Sequence, residues 1–288
     1  MIAPISAKHF AVFRIILGVY LIQHFAFLIP YAQEIWSNTG VFPSPSLNFT
    51  HGVFPNVLNY CDSTEFIIAF LIALLLFSVL FTLGFYRRLA ALFIWYGWVC
   101  LFDRNNLISN PGIPFVGWLL LCCTMIPGGE CYSLKPKAKS DWEFPRVLWI
   151  GAWIVMSLSY TISGIDKLQS PSWLNGSAIL HLVNNPLARD WWLREIVAEL
   201  PVWIIKLMTY SILTIEVLFA PFALLRITRK WIWLAAVLMH VGILLLVDFA
   251  DLTAGMLMIH IITFDVNWFP RVHQFIRDRF MNRFSLFR

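Results

Sequence analysis

Apolar residues run along this chain in blocks separated by short polar stretches, and eight of the blocks read as membrane helices. They cover residues 10–30, 66–85, 89–102, 113–127, 147–165, 202–225, 231–247 and 252–269. A spanning helix needs about 20 mostly apolar residues, fewer where polar flanks reach the interface. The third and fourth blocks are short and reach that length by tilting or by extending into their flanks. The pattern predicts an all-α polytopic membrane protein, a single bundle of about eight transmembrane helices over residues 1–270, with a basic tail over 271–288. The first block is too long for the apolar region of a signal peptide, contains Arg14 and His24, and has no small-residue cleavage site after it. It is expected to remain as the first helix.

Composition agrees. Charged residues make up 13% of the chain and hydrophobic ones 59%, against about 25% charged in ordinary soluble domains; the mean hydropathy is +0.73. These values exclude a disordered chain, a disulfide-stapled miniprotein and almost any soluble enzyme. The net charge of +5 is no nucleic-acid signature, because the basic residues sit in short clusters between apolar blocks. No Lys or Arg occurs from Tyr31 to Tyr86, whereas Arg87 and Arg88, then Lys135, Lys137, Lys139 and Arg146, then Arg226, Arg229 and Lys230, then the arginines of the tail, fall at alternate connections. By the positive-inside rule these clusters are cytoplasmic, as are both termini, and the connections 31–65 and 168–201 face outward. The second, with Trp173, Trp191 and Trp192, reads as amphipathic helices roofing the outer end of the bundle. The five cysteines show no metal or redox spacing, and no metal site is expected.

Charged side chains inside spans are costly and face partners. Arg14, Glu216 and Asp265 fall toward the inner side and are expected to form an ion-pair cluster there. The outer half holds His24, Asp103, Arg104, Asn110, Asp166, Lys167, Lys206, Asp248 and Asp251, with His240 and His260 near mid-depth. Lys167 at a helix end also suits a snorkelling anchor, and either histidine suits a hydrogen bond to a neighbouring helix.

The stretch Ser159-Tyr-Thr-Ile-Ser-Gly-Ile-Asp-Lys-Leu168, followed by Ser172-Trp-Leu-Asn-Gly176, resembles the Gly-Val-Lys-Lys-Leu…Asp-Trp…Gly segment of the vitamin K-dependent gamma-carboxylase family and of the wider horizontally transferred transmembrane domain family. Phe13-Arg14-Ile15-Ile16-Leu17-Gly18 with Gly40-Val41-Phe42-Pro43 is similar to that domain's opening. Phe102-Asp103-Arg104 through Asn110 resembles its Leu-Asp-Lys…Asn-His segment, and His240-Val-Gly242, Gly255-Met256 and Asn267-Trp268-Phe269-Pro270-Arg271 resemble its last helices.

The resemblance implies Lys167 as the general base, facing outward, and a reduced quinone of the vitamin K hydroquinone type as co-substrate. Asp103, Asn110, His240 and His260 would shape the binding pocket. In the family's chemistry the base deprotonates the hydroquinone, oxygenation gives a strong alkoxide base, and carbon dioxide adds to a glutamate from which the alkoxide has taken a proton. The base must be neutral to accept a proton, which requires a dry pocket. Asp166 stands where the family has its first lysine, and Asn110 where it has a histidine. A peptide or protein partner on the outer face and a multi-pass location in a bacterial inner membrane follow from the same likeness. So does a second reading, that of a non-catalytic membrane partner or peptide- or toxin-maturation factor.

Overall fold

The computed structural model describes residues 5–134, 142–248 and 250–268. Lys135, Lys137 and Lys139, and the basic tail over 271–288, lie outside the described residues. The fold is all-helical: α1 (Ala7–Leu28), α2 (Ala32–Trp36), α3 (Thr64–Leu83), α4 (Arg87–Arg104), α5 (Gly112–Met125), α6 (Arg146–Lys167), α7 (Pro171–Leu174), α8 (Ala178–Val183), α9 (Trp192–Ala198), α10 (Val202–Val217), α11 (Phe219–Leu224), α12 (Arg229–Leu246) and α13 (Ala250–Thr263). No strand occurs among the described residues.

All eight apolar blocks are helical over most of their length. Four stretches are long and apolar enough to cross a membrane, namely α1 with α2, α3, α6 and α12, and α9 with α10 forms a fifth candidate bent by 107°. The protein is therefore membrane-embedded. The other blocks fall short for identifiable reasons. At 1.5 Å per residue, the 14 residues of α5 span about 21 Å, less than the ~30 Å hydrocarbon core. α4 carries Arg87, Arg88, Asp103 and Arg104 at its two ends. The block 202–225 is two helices, α10 and α11. Pro221 has no N–H and its ring excludes the Val217 carbonyl, so the helix breaks at Leu218. The Ala220 N–H donates instead to Thr161 Oγ1 at 3.1 Å.

Each long helix is apolar on both sides. On α1, Phe10, Phe13, Leu17 and Leu21 are fully buried, while Val12, Ile16 and Val19 stay exposed on the opposite side. α3, α6 and α12 likewise display Leu76, Ile154, Leu158 and Leu238. A helix that buries one apolar face and presents another suits a lipid surround.

Contacts at the helix ends show that the chain runs up and down. At one end, the basic end, the start of α1 meets the start of α4 and the end of α5 through a buried ion cluster. Arg14 and Arg87 share Glu130, at 3.4 and 3.1 Å. Arg14 also donates to Ser133 Oγ and the Tyr132 carbonyl, at 2.7 and 2.6 Å, and Arg87 to the carbonyls of Cys123, Ile126 and Pro127. Gly84 ends α3 at φ 71°, and a Cβ there would run into the Arg14 guanidinium. The His9 ring donates to the Ile261 carbonyl at 2.7 Å, which brings the end of α13 beside the start of α1.

The expected cluster of Arg14 with Glu216 or Asp265 does not form. Glu130, a loop residue without any periodic signal, takes the arginine. Asp265 lies beyond α13 and accepts from the backbone and side-chain amides of Asn267. Glu216 sits elsewhere, as described below.

At the opposite end, the connection 31–65 is stapled to α4. Trp36 Nε1 donates to the Leu101 carbonyl at 2.8 Å and Arg104 to the Phe42 carbonyl at 2.7 Å. The connection 168–201 forms short helices α7–α9 that pack against α10 and α12 through Ile179, Val183, Val197, Ile205 and Leu246. This is the roof that the tryptophan-rich segment predicts.

Candidate functional site

Lys167 is the last residue of α6, where the ladder of backbone bonds ends and a long side chain can turn inward. Its Nζ lies 2.5 Å from Glu216 Oε2 and donates to Ser163 Oγ at 2.7 Å. The Ser163 hydroxyl in turn donates to the same carboxylate oxygen at 3.3 Å. Ser163 and Lys167 are four residues apart and share one helix face. Trp173 of the roof closes the other side, its ring 5.1 Å from Nζ. The Lys167 side chain is 23% exposed and that of Glu216 8%.

Glycine permits the arrangement. Gly164 faces the backbone of Glu216 and Val217, so closely that a Cβ would meet the Val217 nitrogen. Small residues at crossings let membrane helices approach, and here the approach brings Glu216 to the lysine. Depth in an idealised span misled the assignment of Glu216. α10 begins within the roof, so its penultimate residue is level with the end of α6.

One to two turns deeper lies a buried aromatic and imidazole group. Tyr160 stacks on Phe219 with ring centroids 4.4 Å apart. The His260 Nδ1–H donates to the Met256 carbonyl at 2.7 Å. A carbonyl only accepts, so Nε2 is left as an acceptor, 3.5 Å from the Tyr160 hydroxyl. The His240 ring lies 5.7 Å from Tyr160 and 6.2 Å from His260. His240 is 4% exposed, and neither of its ring nitrogens has a partner among the described residues. Lys167 and Glu216, with Tyr160, His240 and His260 deeper along the same helices, thus lie in one region among α6, α10, α12 and α13.

The other candidates are engaged elsewhere. Asp103 accepts from Thr50 Oγ1 and Asn56 Nδ2, at 2.8 and 2.9 Å, and its carbonyl accepts from Asn48; it pins the first outer connection. Asn110 donates weakly, at 3.5 Å, to Asp251, which also accepts from Tyr20 at 2.7 Å and His24 at 3.1 Å. Neither contacts Lys167. Asp166 is exposed, turned about 100° from its neighbour on the helix, so the carboxylate that serves Lys167 is Glu216. Among the described residues no group of three His, Cys, Asp or Glu is arranged to hold a metal.

Sequence reasoning missed Tyr160 and Ser163. The signal was available: with Lys167 they fall at spacings of seven and four, which line one helix face. No protein-family model, curated protein or solved structure matches the chain.

Proposed function

We propose that this protein is a membrane-embedded enzyme that acts on a lipophilic hydroquinone, with Lys167 as the proton acceptor and Glu216 as its charge partner. The observation that supports this reading is the 2.5 Å Lys167–Glu216 contact beside the unpartnered, buried ring nitrogens of His240. A carboxylate in hydrogen-bond contact can take the lysine's proton, and only the neutral amine that this leaves is a base. The amine then accepts a hydroxyl proton at Nζ, and the ammonium so formed pairs with the hydroquinone oxyanion, while Glu216 keeps the proton it took from the lysine.

Trp173 offers a ring face beside Nζ, and His240 offers a buried donor and acceptor without a partner among the described residues. The hydroquinone, when bound, supplies the oxygen-dependent base chemistry of a carboxylating lyase. The chain's residues bind it and take up its proton.

Eight membrane crossings with both termini in the cytoplasm accord with this reading. The support is the alternation of helix direction together with the gathering of Arg87, Arg146, Arg226, Arg229 and Lys230 at one end. A bacterial inner membrane is the compartment proposed.

The test uses purified protein in micelles, supplied with vitamin K hydroquinone under oxygen, with conversion to the epoxide followed by chromatography. Wild type should turn over and Lys167→Arg should not, because arginine keeps the charge but cannot cycle as a base. Turnover by Lys167→Arg ends the case for this residue. A Lys167–Glu216 clamp without turnover favours the second reading, a non-catalytic membrane partner or maturation factor.

A further inference from the structure

At the basic end of the bundle, a groove of about 330 Å³ between α6 and α11 is lined by Ile150, Trp153, Ile154, Ser157, Leu158 and Arg229 among others. Its walls are apolar, and Ile154, Leu158 and Leu224 belong to the exposed apolar surface, so the groove opens where lipid tails would lie. Pro221 creates it: a straight continuation of α10 would carry residues 218–225 along a different line.

Arg229 stands in this groove in a fixed pose. Its Nε donates to the Ala223 carbonyl at 2.6 Å and its Nη2 to the Leu224 carbonyl at 3.2 Å, while the guanidinium rests 5.5 Å from the Trp153 ring. Nη1 has no acceptor among the described residues. Neither has the indole N–H of Trp149 or Trp153. No carboxylate among the described residues pairs with this arginine, and no Asp or Glu occurs between Val217 and Val247. Arg226 and Lys230 add two more cations within one turn. The mouth therefore carries positive charge that no described residue neutralises, above an apolar trough flanked by tryptophans, which favour headgroup depth.

We propose that this groove binds one anionic phospholipid, with its phosphate on Arg229 and an acyl chain along Ile150, Ile154 and Leu158. Charge complementarity selects the headgroup, and the apolar walls select a lipid over a free phosphate. The site is separate from Lys167 and does not depend on its chemistry.

Native mass spectrometry of the delipidated full chain tests it, by titration with phosphatidylglycerol and, separately, phosphatidylcholine. One phosphatidylglycerol should bind ahead of any phosphatidylcholine. Arg229→Gln should weaken that first binding about fivefold, the effect of one basic residue near a lipid surface, and Arg229→Lys should largely restore it. Ser157→Phe, which fills the trough from α6, should remove the preferred site for both lipids. Equal binding of the two lipids by wild type overturns the proposal, and so does a phosphatidylglycerol titration unchanged in both Arg229→Gln and Ser157→Phe. If Arg229→Gln does not fold, because the arginine also caps α11, Ser157→Phe decides alone.

Discussion

Removing the Lys167 ammonium strands Glu216, and the structure gives the size of the effect. In Lys167→Ala the carboxylate keeps only the Ser163 hydroxyl, a 3.3 Å donor, with its side chain 8% exposed. Breaking one half of a buried ion pair costs about 3–5 kcal/mol. The Lys167 side chain is itself 23% exposed, so water reaches the site and the expected loss lies near the lower figure, about 3 kcal/mol. Glu216→Gln keeps an acceptor oxygen and should cost less, about 1–3 kcal/mol. Combining Lys167→Ala with Glu216→Gln removes both charges and should cost less than the sum of the two single variants, by a coupling energy of about 2 kcal/mol, within the range for contacting residues. Lys167→Arg, which preserves the pair, should stay close to wild type in stability. SDS titration in mixed micelles measures all four variants on one scale. Single substitutions that add in the double variant to within about 0.5 kcal/mol would refute the contact, and with it the proposed proton exchange.

Arg14→Ala leaves Glu130 buried beside Arg87 alone and frees two acceptors in the 130–134 loop; a loss of about 3–5 kcal/mol is expected, and unchanged unfolding in the same titration speaks against the clamp. Gly164→Ala should destabilise by about 1–3 kcal/mol through overpacking at the α6–α10 crossing, despite alanine's better helix propensity, and a stabilised variant would show that the helices can part. Cys61 is exposed on the first connection, so an impermeant maleimide should label it in intact cells; labelling only after the membrane is opened would reverse the proposed orientation.

The helical class, the apolar blocks and the tryptophan-rich roof were legible because a bilayer imposes long apolar stretches and charge asymmetry that a single sequence displays. Pairings between helices were not. Glu216 was placed by counting residues along an assumed straight span, and the roof that displaces the start of α10 defeats that count. Pro221 was visible, yet its consequence, a break beside a functional carboxylate, depends on Thr161 from another helix satisfying the freed amide. Glu130 could not have been foreseen, since a loop residue has no period from which to read burial. Asp103 and Asn110 were chosen for their place near the end of a span. That place serves equally well for pinning loops, and both residues are engaged there.

Among the carboxylates that make buried or half-buried charge contacts, Asp62 pairs with Arg104 as a clamp on the first connection, and three others, Glu130, Asp251 and Glu216, differ in their donors. Glu130 faces Arg14 and Arg87, and the arginines' remaining donors go largely to backbone carbonyls. Guanidinium does not release a proton at any accessible pH, so that cluster holds helix ends together and can do nothing else. Asp251 receives a tyrosine, a histidine and an asparagine, a mixed set that orients the ring of His24 and ties α1 to α13. Glu216 receives a lysine and a serine. The amine and the hydroxyl can each pass a proton, and beyond them lie Tyr160 and two buried imidazoles. Of the three, Glu216 is the carboxylate whose lysine partner can become a neutral base by a single proton shift along an existing contact. That difference in chemistry, rather than depth or proximity to a motif, is why the proposal rests on Lys167 and Glu216.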